Sequence, residues 1–268
     1  MLLMGKKIRL HQFLSKTGLF SSKNEIISAI KKGEMAIDGV ITRDLHFQFD
    51  AAKRSVSWKG NKIRPIYDKI YILMNKPEGY LCSRLTKKDI ILKKKSIFSL
   101  LEKSKEIDDK EKKTLFCVGR LDESSSGLIL ITNDGDLGSE ITSPKNKIPK
   151  TYSVVLSKGL SDSDKSMLER GVTIKLEENN KIRNYKTLPS SISFDSAKRN
   201  KIKITIIEGK KRELRRMFES VDKKVISLKR ISIGNINLND LHINEGEYLI
   251  SSNKFIKDRI SKISNKSK

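Results

Sequence analysis

Residues 118–137 read VGRLDESSSGLILITNDGDL, a run of small and charged residues followed by a short apolar segment. The apolar half, LILIT, has the length and composition of a buried strand, and the NDG that follows it favours a turn. The charged half places Asp122 two residues after Arg120, in a serine-rich loop. A carboxylate beside an arginine stays ionised, so Asp122 is a candidate nucleophile or base; the alternative is a surface ion pair.

Other chemistries of this stretch lack their partners. A serine nucleophile elbow needs a Gly-x-Ser-x-Gly turn, and no histidine follows the serines before His242. The NDGD segment lacks the alternating ligands and the closing glutamate of a calcium loop. Cys82 and Cys117 form no zinc-binding spacing with the three scattered histidines. Each cysteine is interpreted as a small apolar core residue.

The charge of the chain favours a polyanionic partner. The 268 residues carry a formal net charge of +24, although a lysine-rich composition can also be a solvated coat. Arginine is scarcer, with 14 residues, and four of them lie within 19 positions: Arg212, Arg215, Arg216 and Arg230. Because guanidinium groups suit bidentate contacts with phosphate or carboxylate, this cluster indicates a binding function.

Hydropathy limits where the protein acts. Hydrophobic residues make up 37% of the chain, which is enough for a folded core. No segment approaches ~18 uncharged apolar residues, the length of a membrane span. At the N-terminus the apolar residues precede the charged ones, the reverse of a secretory signal. We therefore expect a cytoplasmic protein without a membrane partner.

Residues 1–66 predict a compact unit of net charge +8. The segments RLHQFLSKTG and SSKNEIISAIKKG have helical spacing of apolar residues, and each ends at a glycine. EMAIDGVIT predicts a hairpin that turns at Asp38-Gly39, and RSVSWKG predicts a further strand. The polar stretch 59–69, with Pro65, is predicted to be a linker.

The remainder of the chain mixes strands and helices. Strand-like runs recur at KIYILMN, TLFCVG, GLILIT, TYSVVL, KIKITII and KVISL, with helical patterns at SIFSLLEKS, LSDSDKSMLERG and KRELRRMFESV. This order is not a strict βαβ repeat, so it favours an α+β domain with a mixed sheet. Residues 253–268 are basic and are predicted to be a solvated, partly disordered end that can contact nucleic acid.

Two later segments carry candidate substrate contacts. In PKTYSVVL, Tyr152 lies on the same face of a predicted strand as Val154 and Leu156, suited either to stack on a nucleobase or to pack in the core. In IIEGKKRELRRMFESV, a strand precedes a helix on which Arg212, Arg215 and Arg216 would share one face, and Leu214 and Phe218 another. Such a cluster near a helix start favours anions, with a solvated basic face as the alternative.

In this order, the segments resemble the RsuA/RluB family of bacterial ribosomal-RNA pseudouridine synthases. The family's Gly-Arg-Leu-Asp segment and following strand read GRLDESSSGLILITNDG here. Its Lys-x-Tyr strand reads Lys150-Thr151-Tyr152, and its later basic segments read EGKKRELRRM and LKRISIGNINL. YILMNKPEGYLCS resembles its opening strand and turn. Residues 1–66 resemble its alpha-L RNA-binding domain, with His11 where an aspartate is usual.

The resemblance implies a fold and a set of roles. We expect an alpha-L RNA-binding domain at 1–66, a catalytic domain at 67–252 with a mixed, mainly antiparallel sheet flanked by helices, and a basic tail at 253–268. Asp122 is the expected catalytic carboxylate. The expected substrate contacts are Tyr152 against the uracil, Arg215 as the partner of Asp122, and Arg120 holding the RNA once the uridine is flipped out. The remaining RNA-binding candidates are Arg212, Arg216 and Arg230.

The implied reaction breaks the C1′–N1 bond of a uridine and joins C1′ to C5. Nothing is oxidised or added, so no metal or other cofactor is expected. The sequence leaves open whether Asp122 attacks C1′, adds to C6 or removes a proton from C2′. The expected partner is ribosomal RNA or a ribosome-assembly intermediate, with KRELRRM slightly favouring the large subunit, and the expected state is a monomer. The competing interpretation is a non-catalytic RNA-binding or ribosome-assembly protein.

Overall fold

The structure, a computed structural model, describes residues 7–178, 181–195 and 197–260. Up to residue 118 its elements are β1 (Lys7–Arg9), α1 (Leu10–Ser15), α2 (Lys23–Lys31), β2 (Met35–Ile37), β3 (Val40–Ile41), β4 (Gln48–Asp50), β5 (Val56–Trp58), β6 (Asn61–Ile63), β7 (Tyr71–Lys76), β8 (Tyr80–Leu81), α3 (Lys87–Ile91), β9 (Lys95–Ser96), α4 (Asp109–Thr114) and β10 (Phe116–Val118).

The second half continues with β11 (Ser126–Thr132), α5 (Gly135–Thr142), β12 (Lys150–Leu156), α6 (Asp162–Arg170), β13 (Thr173–Glu178), β14 (Lys181–Lys186), β15 (Ser191–Phe194), β16 (Lys201–Ile206), α7 (Glu213–Glu219), β17 (Val225–Ile233), β18 (Ile236–Asn237), β19 (Tyr248–Ser251) and α8 (Asn253–Ile260). Short 3₁₀ turns occupy Ile97–Leu101, Pro144–Asn146 and Leu238–Leu241. The first of these turns replaces the α-helix predicted at SIFSLLEKS. No helix in the ranges that the structure describes is long and apolar enough to cross a membrane.

The chain divides into two compact units. The first contains the chain up to Lys69 and also Leu101–Phe116, a segment that the sequence assigned to the catalytic domain. Its two predicted helices and its Asp38-Gly39 hairpin are confirmed. Ser22 caps α2 by accepting a hydrogen bond from the Glu25 amide, which explains where that helix begins.

The predicted linker at 59–69 is partly wrong. Residues Asn61–Ile63 form β6, which pairs antiparallel with β5 at the edge of a four-stranded sheet ordered β3-β2-β5-β6. An edge strand tolerates polar and basic side chains because one side of it faces solvent. The polar composition of this stretch therefore reflects an edge position.

The second unit is built on a mixed sheet ordered β15-β16-β12-β17-β11-β7-β19, with β10 also on β11 and β18 also on β17. The pairings described for this sheet are antiparallel except β11 with β17, which run parallel. The predicted mixed, mainly antiparallel α+β fold is confirmed. Strands β12, β17 and β11 are neighbours, and they bring the segments of the candidate site together.

The predicted disordered tail is wrong for its first half. Residues Asn253–Ile260 form α8, and its Ile256 and Ile260 are almost fully buried in the core cluster of the second unit. The two side chains are four residues apart, so they share one helix face despite the basic residues around them. Residues 261–268, the rest of the predicted tail, lie outside the described residues.

Candidate active site

A cavity of about 450 Å³ in the second unit joins the three segments singled out in the sequence. Arg120 and Asp122 line it from the loop before β11, Tyr152 from β12, and Arg212 and Arg215 from the start of α7. Two of the predicted RNA contacts, Arg216 and Arg230, are not among its lining residues.

The loop that carries Asp122 is held by its backbone. The Ser125 amide donates to the Asp122 carbonyl oxygen at 3.1 Å, and the Gly79 amide donates to the Glu123 carbonyl at 2.8 Å. Lys76 Nζ donates to the Ser125 carbonyl at 2.6 Å. Asp122 itself is half-buried. Its carboxylate is therefore presented by a fixed loop rather than by a mobile surface segment.

Lys76 is a buried residue that supports this loop and that the sequence reasoning missed. It ends β7, its side chain is fully buried, and its ammonium also donates to the Pro77 carbonyl at 2.9 Å. Burial lowers the pKa of this ammonium, and the neighbouring Cys82 and Glu123, among other groups, oppose that shift. A lysine that ends a run of mainly apolar residues, YILMNK, was the available signal.

Cys82 supports the same loop. Its Sγ accepts a hydrogen bond of 3.4 Å from the amide of Leu121, the residue before Asp122. Cys82 is buried and Cys117 is half-buried, and both are free thiols. A hydrogen bond from Cys117 lowers the pKa of Cys82. The interpretation of the cysteines as core residues holds for Cys82, which also contributes a polar contact.

Tyr152 is placed by the strand pattern that the sequence predicts. Burial alternates along β12, and Tyr152 is buried, as are Val154 and Leu156 on the same face. The register of β12 against β17 shifts between Thr151 and Tyr152, and Tyr152 then pairs with Arg230. Its ring is therefore buried at the edge of the cavity.

Arg215 does not pair with Asp122 in this structure. Its Nη2 donates to both the carbonyl and the hydroxyl oxygen of Ser124 at 2.9 Å, and its Nη1 donates to the Val225 carbonyl at 3.2 Å. Within the described residues Arg215 and Asp122 form no ion pair, although both line the same cavity. The expected pair is replaced by a contact with the loop two residues beyond the carboxylate.

Arg212 and Arg216 do not share a helix face with Arg215. Arg212 has φ 55° and ψ 30°, a left-handed conformation, and it precedes α7 rather than belonging to it. Arg216 donates from Nη1 to the Lys211 carbonyl at 2.8 Å. Because Arg212 is the N-cap rather than a residue of the helix, the three arginines do not form one helical face; Arg212 and Arg215 line the cavity, and Arg216 does not. Leu214 and Phe218 are buried, as predicted.

Arg230 is not an exposed RNA contact. Its side chain is 1% exposed; its Nε donates to the Leu128 carbonyl at 2.7 Å and its Nη2 to the Gly119 carbonyl at 3.0 Å. The guanidinium thus joins β11 to the residue before Arg120. The arginine cluster in the sequence indicates a surface cation at Arg230. In the structure its partners are backbone carbonyls inside the second unit.

A buried carboxyl pair adjoins the cavity. Glu213 lines it and is 3% exposed, and its Oε2 accepts from the Lys210 amide at 2.7 Å. Burial, together with the neighbouring Glu208, raises the pKa of Glu213. Glu208 in turn accepts hydrogen bonds from the Tyr185 hydroxyl and the Leu188 amide. The sequence reasoning missed this pair because its glutamates lie in a basic segment.

Two polar atoms of the lining residues are buried without a hydrogen-bond partner. They are the Ser125 hydroxyl oxygen and Arg215 Nε. Buried polar groups in native proteins are nearly always paired, so each such atom calls for an explanation. The cavity also carries four cationic side chains besides Arg215, namely Arg120, Lys210, Lys211 and Arg212. Its polar groups and its charge suit an anionic, hydrogen-bonding ligand.

Known proteins share this organisation. Residues 70–220 match the RNA pseudouridylate synthase family. An RNA pseudouridine synthase of Bacillus subtilis is 32% identical over 243 residues, covering 90% of this chain and 93% of the relative. A ribosomal small subunit pseudouridine synthase A of Vibrio cholerae is 32% identical over 241 residues, covering 90% and 94%.

A solved structure agrees with these relatives. The crystal structure of a pseudouridylate synthase superposes with a TM-score of 0.63 at 26% identity, covering 94% of this chain and 99% of the other. The matched region contains Asp122, Tyr152 and Arg215, and the resemblance noted in the sequence is confirmed. The chain therefore belongs to the RNA pseudouridylate synthase family, with the relatives expected of its RsuA/RluB branch.

Proposed function

We propose that this protein isomerises a specific uridine of ribosomal RNA to pseudouridine, with Asp122 as the reacting group. The observation that carries the proposal is the cavity that Asp122 shares with Tyr152 and Arg215. Asp122 is the aspartate that lines this cavity, and its loop is held by Lys76. A fixed carboxylate beside an aromatic ring and a guanidinium group suits attack on a nucleoside better than it suits simple RNA binding.

The reaction needs the uracil outside the RNA stack, because its glycosidic bond is inaccessible within a helix. Tyr152 is suited to contact the face of the flipped uracil. Arg120 is exposed and forms no hydrogen bond or ion pair with another residue that the structure describes. It is therefore suited to occupy the space that the flipped uracil leaves in the RNA stack. The carboxylate of Asp122 then attacks C1′, adds to C6 or removes the C2′ proton. In each case the C1′–N1 bond breaks, C1′ bonds to C5, and C5 loses a proton while N1 gains one.

The phosphates flanking the target suit the cations at the start of α7. Lys210, Lys211 and Arg212 line the cavity together, and Lys211 and Arg212 are exposed. Each phosphate contact of this kind releases counterions, so affinity should fall steeply with salt. The neutral, protonated form that burial favours in Glu213 would limit repulsion of the RNA backbone at this place.

The N-terminal unit is proposed to be an alpha-L RNA-binding domain that adds affinity. Its support is the net charge of +8 over residues 1–66 and the pair of short helices packed beside a small sheet. We propose that the protein acts as a monomer in the cytoplasm, on ribosomal RNA or an assembly intermediate.

The RNAs of the small and the large ribosomal subunit are both candidates to contain the target uridine. The KRELRRM segment slightly favours large-subunit RNA, whereas several relatives, from Vibrio cholerae and Escherichia coli among others, are named as small-subunit enzymes. We therefore place the target in small-subunit RNA first and use large-subunit RNA as the alternative.

Carbodiimide mapping of pseudouridine in both ribosomal RNAs tests the proposal. Cells with and without the gene should differ by one reverse-transcription stop, which identifies the nucleotide. Reintroducing the wild-type gene should restore the stop, and Asp122→Asn should not, although purified Asp122→Asn should retain RNA binding. If no stop is lost in either RNA while the protein still binds RNA, the competing interpretation of a non-catalytic RNA-binding protein is favoured. Restoration by Asp122→Asn would overturn the catalytic assignment.

A further inference from the structure

An exposed apolar run lies outside the cavity, on α3 and its C-cap. Ile90, Ile91 and Leu92 are 62%, 79% and 54% exposed. Among the described residues they form the longest run of consecutive exposed large apolar side chains. Contiguous exposed apolar surface of this kind usually marks a binding site.

The helix that carries this run is not held by the core. None of the residues of α3 is buried, so burial of apolar surface does not explain its position. Its start is fixed by a reciprocal capping box, in which the Thr86 hydroxyl accepts from the Asp89 amide and Asp89 Oδ2 accepts from the Thr86 amide at 2.8 Å. The capping box therefore fixes the start of a five-residue helix none of whose residues is buried in the core.

This helix is tied to the loop that carries Asp122. Lys94 Nζ, three residues after α3, contacts both carboxylate oxygens of Glu123 at 2.8 and 2.9 Å. Glu123 directly follows Asp122. The short parallel pairing of β8 with β9, between Tyr80 and Lys95, holds the other side of the insertion. The segment that carries the apolar run is therefore linked to the residue that follows Asp122.

The charge around the run selects its occupant. Five lysines flank it in the sequence TKKDIILKKK, of which Lys94 is paired with Glu123, and the one aspartate of this sequence is occupied by the capping box. A second copy of the chain would bring the same lysines against these, and such like-charge contact is unfavourable. An RNA strand supplies phosphates for the lysines and base faces for the aliphatic side chains. Isoleucine and leucine side chains are known to wedge between base steps in nucleic-acid complexes.

We infer that Ile90, Ile91 and Leu92 form an apolar wedge that contacts unstacked bases of the RNA beside the target uridine, while Lys87 and Lys88 hold its phosphates. The inference rests on the proposed function, because it requires an RNA substrate at Asp122. It adds to that function a contact that lowers the cost of taking the target base out of the stack. The wedge contributes binding energy that depends little on salt, and the lysines contribute energy that depends on it strongly.

Two variants separate these contributions. The apolar variant carries Ile90→Ala, Ile91→Ala and Leu92→Ala, which retain helix propensity. The charge variant carries Lys87→Gln and Lys88→Gln. Ile182→Ala is the matched control, since Ile182 is 75% exposed on β14. Affinity for unmodified transcripts of both ribosomal RNAs is measured by filter binding from about 50 to 300 mM salt, and pseudouridine formation is measured on the same transcripts.

The apolar variant should bind about tenfold more weakly with an unchanged salt slope and should lose turnover to at least the same extent. The charge variant should make the slope of log affinity against log salt concentration shallower by about 1 to 2. The control should match the wild type. Crosslinking of the wild type to 4-thiouridine-substituted RNA should label the tryptic peptide DIILK beside the modified position.

Three results would overturn the inference. Wild-type affinity and turnover in the apolar variant would show that the run does not contact RNA. Loss of a wild-type dimer on sedimentation, with RNA affinity intact, would assign the run to contact between copies. Wild-type protein that binds neither RNA would remove the proposed function as well, which distinguishes that failure from the first two.

Discussion

The ammonium of Lys76 lies 2.6 Å from the carbonyl oxygen of Ser125, three residues beyond Asp122. Lys76 ends a strand in which every residue is buried, and its side chain has no exposed surface. The contact therefore links the core of the second unit directly to the loop that carries Asp122. The position of Asp122 depends on a residue that does not line the cavity.

Lys76→Met should remove this support without adding charge or much volume. The half-buried carbonyl of Pro77 and the buried carbonyl of Ser125 would lose their donor, and leaving the buried one unpaired costs about 1–3 kcal/mol. Misplacement of the loop by about 1 Å lowers kcat by about a hundredfold. The measurements are thermal unfolding and single-turnover kinetics on the mapped RNA. Lys145→Met, at an exposed position, is the control, and a folded Lys76→Met with wild-type kcat would contradict the assignment.

Gly127 should tolerate no side chain. It has φ +103°, and a Cβ there would lie 2.2 Å from the backbone oxygen of Arg230, where β11 and β17 run parallel. Gly127→Ala should lower the free energy of unfolding by about 3 kcal/mol or more, since backbone strain and overlap add. Gly246→Ala is the control for strain alone: it has φ +88° and open space where its Cβ would lie, so about 1–2 kcal/mol is expected. If urea unfolding gives the same loss of stability for Gly127→Ala and Gly246→Ala, β11 and β17 can move apart to accommodate the added methyl group.

Local pattern was sufficient where neighbours in the sequence decide the structure. The alternation through Tyr152 and Val154 predicts the face of β12, and the helical spacing of apolar residues in SSKNEIISAIKKG predicts α2. The order of the three segments predicts the family. In each case the relevant contacts lie within a few residues or follow from strand periodicity.

Sequence reasoning failed where a charged side chain is buried by distant segments. Arg230 bonds to carbonyls 102 and 111 residues away, and Lys76 to one 49 residues away. A cation is read from sequence as a surface group because burial is costly, and the compensating carbonyls come from the fold. The contact between Arg215 and Ser124 was missed for a related reason, because the two residues are 91 positions apart and only the fold brings them together.

Glu213→Gln should stabilise the protein increasingly as pH rises. Burial and the neighbouring Glu208 raise the pKa of Glu213 from 4.5 to about 8. The fold favours the protonated form, so the stability it contributes is complete below pH 4.5 and is lost as pH rises through 8. Glutamine cannot ionise and can still accept from the Lys210 amide.

The difference in melting temperature between Glu213→Gln and the wild type should therefore be small at about pH 5. It should reach about 2–8 °C at about pH 8.5, for about 1–2 kcal/mol of differential stability. Glu219→Gln, at an exposed position of α7, is the control and should show little change between the two pH values. A difference for Glu213→Gln that is equal at both pH values would rule out a buried neutral carboxyl at this position.

Arg230→Met should distinguish a structural role of Arg230 from a role in RNA binding. Its contacts with the Leu128 and Gly119 carbonyls join β11 to the residue before Arg120, so their loss should displace that loop and lower kcat by about tenfold or more. Because Arg230 is 1% exposed, the dependence of RNA affinity on salt should not change. Arg212→Gln should show the opposite pattern, with a salt slope lower by about 1 and a smaller effect on the single-turnover rate at saturating enzyme. A reduced salt slope for Arg230→Met with full kcat would restore Arg230 as an RNA contact.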